Sequence, residues 1–362
     1  MRPAIKPGLQ VVWRDRDTLQ IGIDPRRAVA LTGMRRRAAL IGLLDGSREH
    51  GQVLAAAEEL GIPAAAADRV IGLLAAAGAL QDFPAAELRA LPDGPRARLA
   101  GELATVSLAH GHADGGARVL ARRQAATVRV YGAGPVGSEI AGLLAASGVG
   151  RVACTGPVGQ PAARAGVPGR PPWARRRAGT SRSRTPRGAA AASGPPAGTA
   201  PPPGAARRSR SGPAQPPDLA VLADGYPPEL PARLVAGGVV HLAASAREAI
   251  GVVGPLVLPG ESACLGCVEL ARADRDPAWP FILAQLAGPA AHPAACAVTL
   301  ATAVAAQAVS QVLGCLDLAR PPDAVLNGTL ELVSPAWQWR RRSWPRHGQC
   351  PCSNRLPTCR RI

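Results

Sequence analysis

A chain of 362 residues that is 47% apolar but only 3% aromatic has the length for two or more domains and a core of Ala, Val and Leu. Its net charge of +17 suggests nucleic acid or an anionic membrane, but 11 arginines fall between Gly156 and Pro217, where no Asp or Glu occurs. The excess elsewhere is about six, unremarkable for this size, so neither partner is expected from charge.

The N-terminal residues 1–8 contain no apolar run of signal-peptide type, so no secretory signal is expected there. Alternation over 9–23 predicts a hairpin turning at Asp15-Arg16-Asp17, and 28–31 a further short strand. Helices are predicted over 34–44, 48–60 and 64–77, separated by Asp45-Gly46-Ser47 and Gly61-Ile62-Pro63, with Gly78 ending the last and 79–81 closing the unit. Strands followed by three short helices predict a winged-helix-like domain over 1–82. Beyond Arg35-Arg36-Arg37 the domain shows no basic recognition helix.

Residues 83–125 read as a helical connector with one helix over 95–110. A Rossmann-like unit then begins near 126. The β-branched run Thr127–Tyr131 leads into Gly132, Gly134 and Gly137 and an apolar helix, the context in which G-x-G-x-x-G is informative. Gly132 permits a tight turn, Gly134 a close phosphate approach and Gly137 close helix packing, with the helix N-terminus offering N–H groups to an anion. A second strand is predicted over 150–155.

Between Gly156 and Pro217 the pattern stops. No Leu, Ile, Phe, Asp, Glu or Lys occurs there, and 14 prolines exclude a long helix or a central strand. The composition of 156–216 predicts disorder. Two origins fit: an out-of-frame insert, which GC-rich codons render as Arg, Pro, Ala and Gly, or a true basic linker. Reading the gene's other frames distinguishes them.

Folded pattern resumes with a strand over 217–223, a helix over 227–236, strands over 239–243 and 248–258, and a terminal strand pair over 324–333. The uncharged stretch 294–316 is long enough to span a membrane, but it is Ala-rich and carries Gln307, Ser310 and Gln311. A buried helix is therefore predicted, and the chain is expected to be cytoplasmic. In that compartment the 8 cysteines read as metal ligands or buried thiols before disulfides. Cys264 and Cys267 form a C-x-x-C placed on a turn after a strand; Cys350 and Cys352 form a second pair near the C-terminus. Two such pairs supply the edges of a tetrahedral zinc site. One residue rather than two separates the second pair, so His347 is an alternative ligand and Cys359 a more distant one.

Over 1–82, Lys6-Pro7-Gly8, the Asp45-Gly46 turn and the apolar spacing of 73–80 resemble the PqqD-type peptide-recognition domain. That resemblance implies binding of a leader peptide as an added strand. The glycine segment 130–150, the strand and cysteine turn 252–267, and the C-terminal cysteines together resemble the ThiF/MoeB/HesA group of ubiquitin-activating-type enzymes, over 126–155 and 217–352. The implied architecture is α/β, a winged-helix-like domain followed by a ThiF-type Rossmann domain, interrupted by the Arg/Pro-rich segment and ending in a tail over 353–362.

The combination resembles leader-binding ThiF-like proteins of thiazole- and oxazole-modified-peptide biosynthesis. Implied partners are a precursor peptide and a YcaO-like modification enzyme, and a homodimer is allowed. The family adenylates a carboxylate with ATP and magnesium, and the resemblance assigns Gly132, Gly134 and Gly137 to the phosphates and Asp224 to magnesium. A turn-forming Asp-Gly accounts for Asp224 equally well. The acid that holds the ribose is missing, since Thr155-Gly156-Pro157 stands in its place. The family's Asn-x-x-Arg segment and lysine would fall in the Arg/Pro-rich window, and Lys6 is the only lysine in the chain. No catalytic residue is therefore assigned, and adenylation is expected to be weakened or lost. Cys296 occupies the position of a thioester-forming cysteine in some relatives, although a buried structural thiol is the expected role.

Overall fold

The computed structural model describes residues 1–83, 85–89, 91–155, 216–223, 226–286, 297–318 and 321–354. The Arg/Pro-rich window and its proposed out-of-frame origin, Asp224, Cys296, Cys359 and the end of the tail lie outside these residues.

The N-terminal part has strands β1 (Pro3–Ile5), β2 (Val11–Trp13), β3 (Leu19–Ile21) and β4 (Val29–Leu31), helices α1 (Ala39–Gly42), α2 (His50–Glu59) and α3 (Ala64–Ala76), and strand β5 (Leu80–Asp82). β2, β3 and β4 form an antiparallel sheet in that order, and β5 returns to pair with β1. Leu19, Ile21, Leu31, Met34, Leu40, Val53 and Leu74 belong to one buried cluster. The expected hairpin is present, but the first helix is much shorter than 34–44. The Asp17 carboxylate accepts the Gly33 and Arg35 N–H groups, each at 3.1 Å, so the chain is tied to the hairpin before a helix can start. Glu49 and Gln52 cap α2 reciprocally.

The connector holds three helices instead of one: α4 (Ala86–Arg89), α5 (Asp93–His110) and α6 (Ala117–Ala125). α6 carries Arg123, whose buried guanidinium bonds both Asp317 carboxylate oxygens at 2.7 and 2.6 Å, Glu102 at 2.9 Å and the Ser147 carbonyl at 3.0 Å.

The remaining elements are β6 (Thr127–Tyr131), α7 (Pro135–Ala146), β7 (Arg151–Thr155), β8 (Leu219–Leu222), α8 (Leu230–Ala236), β9 (Val240–Arg247), β10 (Ile250–Val257), α9 (Leu265–Ala273), α10 (Trp279–Leu286), α11 (Val298–Leu318), β11 (Gly328–Val333) and β12 (Gln338–Ser343). Seven strands form one mixed sheet in the order β12-β11-β10-β9-β8-β6-β7. β7, β6, β8 and β9 run parallel, whereas β9 to β12 pair antiparallel. The expected strand pair over 324–333 is a single strand, β11; its partner is β12, whose three arginines mask a strand pattern.

α7 and α11 pack with the inner residues of β6, β8, β9 and β10 in one core that includes Val128, Val130, Ile140, Val221, Leu242, Val304 and Val312. Among the described residues α11 is the one helix long and apolar enough to cross a membrane, and half of its most apolar window is buried in this core.

Candidate nucleotide loop and metal centre

The glycine loop lies where β6 has β7 on one side and β8 on the other, at the carboxyl ends of these parallel strands. Such a switch in strand order opens the crevice where ligands settle in doubly wound sheets. Gly132 leaves β6 with φ 112°, a conformation that favours glycine. A Cβ on Gly137 would stand 1.8 Å from the Gly132 carbonyl oxygen, so helix and loop touch backbone to backbone. Gly134 is the extended residue before α7, and a Cβ there would meet nothing within 4 Å, so its outer side is open. Pro135 begins the helix, where its missing N–H costs little. The Gly132 N–H is held by the Thr155 carbonyl at 2.9 Å, and the Ala223 N–H by the Tyr131 carbonyl at 2.8 Å.

Gly132 and Gly134 thus stand in the loop and Gly137 in the first turn of the helix it leads into. The arrangement offers main-chain N–H groups and a helix dipole to an anionic group. β7 itself carries no acidic side chain and ends at Thr155, the last described residue before 216. Lys6 is remote in role as well as in sequence: it is 1% exposed and its Nζ donates to the Ser107 carbonyl at 2.8 Å.

The cysteine pairs come together. Cys264, Cys267, Cys350 and Cys352 are all buried, with sulfurs within 4.8 Å of one another. Cys267 and Cys352 are 3.3 Å apart, Cys264 and Cys350 3.6 Å, and Cys264 and Cys267 3.9 Å. These separations are far too long for disulfides. They suit the edges of a tetrahedron around a metal bound at about 2.3 Å per sulfur. The first pair sits on a helix start and not on a turn: Cys264 caps α9 and Cys267 lies in its first turn. Spacing of i and i+3 places both sulfurs on one helix face.

The donor chemistry supports the same fit. Its hydrogen bond to Cys267 and its burial raise the Cys264 thiol. The same hydrogen bond pulls Cys267 down to about 4, and burial pushes Cys350 up to about 11. One thiolate is favoured in this space and several are not, unless a cation offsets them. The cluster fits a metal such as zinc. The His347 ring stands outside the four-sulfur cluster, its Nε2 2.8 Å from the Asp274 carboxylate. Instead its main-chain carbonyl accepts the Cys350 N–H at 3.0 Å and shapes the turn that carries the second pair.

Other features of this end of the molecule carry no local sequence signal. Trp344 is fully buried, with the guanidinium groups of Arg272, Arg275 and Arg342 over its ring at 5.6, 5.3 and 5.5 Å. This packing holds the strand end before Arg346 against α9.

A glycine loop at the switch point of a mixed sheet, with a four-cysteine centre beyond its antiparallel half, defines an α/β protein of the ThiF/MccB-like fold. Neither a family model nor a curated protein matches the chain. Among solved structures, E. coli MccB with AMPCPP and MccA matches at a TM-score of 0.60 and 12% identity, over 98% of this chain and 100% of that one. The heterocyclase TruD matches at 0.59 and 15%, over 97% of this chain and 42% of TruD. A heterocyclase solved with substrate and cofactor matches at 0.58 and 15%, over 97% and 39%. The chain therefore spans less than half the length of these two heterocyclases.

Proposed function

We propose that this chain binds the leader of a precursor peptide through residues 1–82 and presents the peptide to a partner enzyme of the azoline-forming, YcaO-like cyclodehydratase type, with ATP-dependent adenylation weakened or lost. The fold shared with MccB and TruD supports a place in modified-peptide biosynthesis. The N-terminal sheet supports the binding role. β4 has no neighbour on its outer side among the described residues, and Ala30 within it is exposed. An extended peptide can add there as a strand, with main-chain hydrogen bonds giving affinity.

The observation that carries the loss of adenylation is the chemistry around the glycine loop. Its backbone is in order, but Thr155-Gly156-Pro157 offers no acid for a ribose, and the only lysine is buried elsewhere. Adenylyl transfer depends on positioned charges, each worth roughly 10²–10³ in rate. ATP and magnesium at this loop would supply an activated phosphoanhydride. The residues present would hold its phosphates through main-chain N–H groups, with Asp224 proposed for the metal ion. Zinc is proposed for the four cysteines as a structural clamp.

Peptides encoded beside this gene should bind the full chain, while ATP–pyrophosphate exchange stays at background with or without them. Robust peptide-dependent exchange would overturn the presenter reading. It would establish instead an active ThiF/MoeB-type adenylyltransferase acting on a sulfur-carrier or peptide C-terminus, the second reading that the intact loop supports.

A further inference from the structure

At the end of β4, residues Asp17, Gly33, Arg35, Arg36, Arg37, Gly61, Ile62 and Pro63 line an open cavity of about 320 Å³. Three hydrogen bonds fix the arginine loop against the hairpin turn. The Asp17 carboxylate accepts the Gly33 and Arg35 N–H groups, and its main-chain carbonyl accepts the Met34 N–H at 2.8 Å. Main-chain amides therefore occupy that carboxylate. None of the three guanidinium groups makes a hydrogen bond or ion pair among the described residues. Arg35 and Arg36 are exposed and Arg37 is half-buried. Glu58 and Glu59 end the preceding helix but do not line the cavity. Exposed Pro63 gives one wall an apolar character, while Ile62 is buried in the core beneath it.

We infer that this cavity selects an acidic residue in the peptide laid along β4, with Arg35, Arg36 and Arg37 holding its carboxylate and Pro63 receiving its methylene stem. The inference rests on the peptide-binding reading above and adds the charge class of the peptide. A strand advances about 3.3 Å per residue, so a chain paired with β4 reaches the arginine loop within a few residues of Leu31. Guanidinium pairs bidentately with carboxylate, and three arginines against the single Asp17 carboxylate leave the lining net positive, which concentrates anionic groups. A nucleic-acid backbone fits less well. α3, the helix a winged-helix protein would offer to a groove, is Ala-rich and carries Arg69 as its only basic residue, next to Asp68.

The test uses the full chain and two fluorescent peptides of one alternating apolar sequence, carrying glutamate in one and glutamine in the other. Anisotropy should show the glutamate peptide bound at least ~10-fold more tightly, as for loss of one charge-assisted bond. The advantage should shrink in high salt. In the Arg35→Gln/Arg36→Gln/Arg37→Gln protein it should vanish, with affinity for the glutamine peptide unchanged. These guanidinium groups make no hydrogen bond or ion pair among the described residues, and an unchanged melting temperature confirms an intact fold. Equal binding of both peptides would sink the inference and leave the peptide-binding reading in place; no binding of either would sink both. Displacement of the glutamate peptide by an equal concentration of single-stranded DNA would overturn it in favour of phosphate recognition.

Discussion

Single side chains decide two properties of this molecule. In the cysteine centre Cys267 is fully buried and lies 3.3 Å from Cys352, so it has no room to be replaced by water. Cys267→Ser should abolish bound metal, read as zinc per chain by elemental analysis, and lower the melting temperature, because a closed site contributes directly to folding. His347→Ala should leave the metal content unchanged, since its ring serves Asp274. His241, in the middle of the large sheet, sets a pH limit. Its Nδ1 lies 2.9 Å from the Val239 carbonyl, and its buried Nε2 has no partner among the described residues. Burial pushes it down from 6.5 to about 4, against the opposing pull of that carbonyl. Between these values the unfolded chain binds a proton that the folded chain refuses, so stability falls as pH falls through the window. Denaturant titrations should show a loss of about 2 kcal/mol between about pH 7.5 and pH 5 from this group. His241→Leu should flatten that slope.

Elements repeat the lesson on a larger length. β9 and β10 are joined by Glu248 and Ala249 alone, with φ of 52° and 59°. Two consecutive left-handed residues make the turn whose twist suits a hairpin, but side chains are costly there. Glu248→Asn/Ala249→Gly should raise stability by about 1 kcal/mol in urea unfolding without changing the fold; a loss would show that these side chains hold the turn. The elements readable from sequence are those whose signal is local. β6, the glycine loop and α7 follow from alternation, glycine spacing and an apolar run, and the cysteine pairs from their spacing. β12 was hidden because it pairs at an edge, where Arg340, Arg341 and Arg342 give no apolar alternation. α6 was hidden because its polar sequence becomes a helix around one buried arginine. The fate of His347 depended on Asp274, 73 positions away, and no spacing rule reaches that far. The shortening of α1 likewise came from Asp17, a turn residue that captures amides beyond β4.

Across the whole molecule, the Arg123–Asp317 pair fastens the connector helices to the sheet domain. Both side chains are about 5% exposed, and the same guanidinium reaches Glu102 on α5 and the Ser147 carbonyl after α7. Removing one partner strands the other charge in the interior. Asp317→Ala should therefore cost about 3–5 kcal/mol, whereas the apolar pair Arg123→Met/Asp317→Leu should cost far less. Comparable losses in both would mean that the ions themselves, and not their burial unpaired, determine the stability of this junction.

The division of the large sheet into a parallel and an antiparallel half also sets an order of assembly. β9–β10 and β11–β12 are hairpins between neighbours in the chain, while β6 meets β8 only after the chain returns from Thr155 to Leu219. Longer loops cost more entropy to close and delay the contacts that depend on them. Pulse-labelled hydrogen exchange during refolding should therefore protect the β9–β10 and β11–β12 hairpins first. The cysteine pairs follow β10 and β12, and they meet only when β10 pairs β11, a closure about as long in sequence as that between β6 and β8. Zinc added at the start of refolding should leave the hairpin phase unchanged and speed the later docking of β10 on β11.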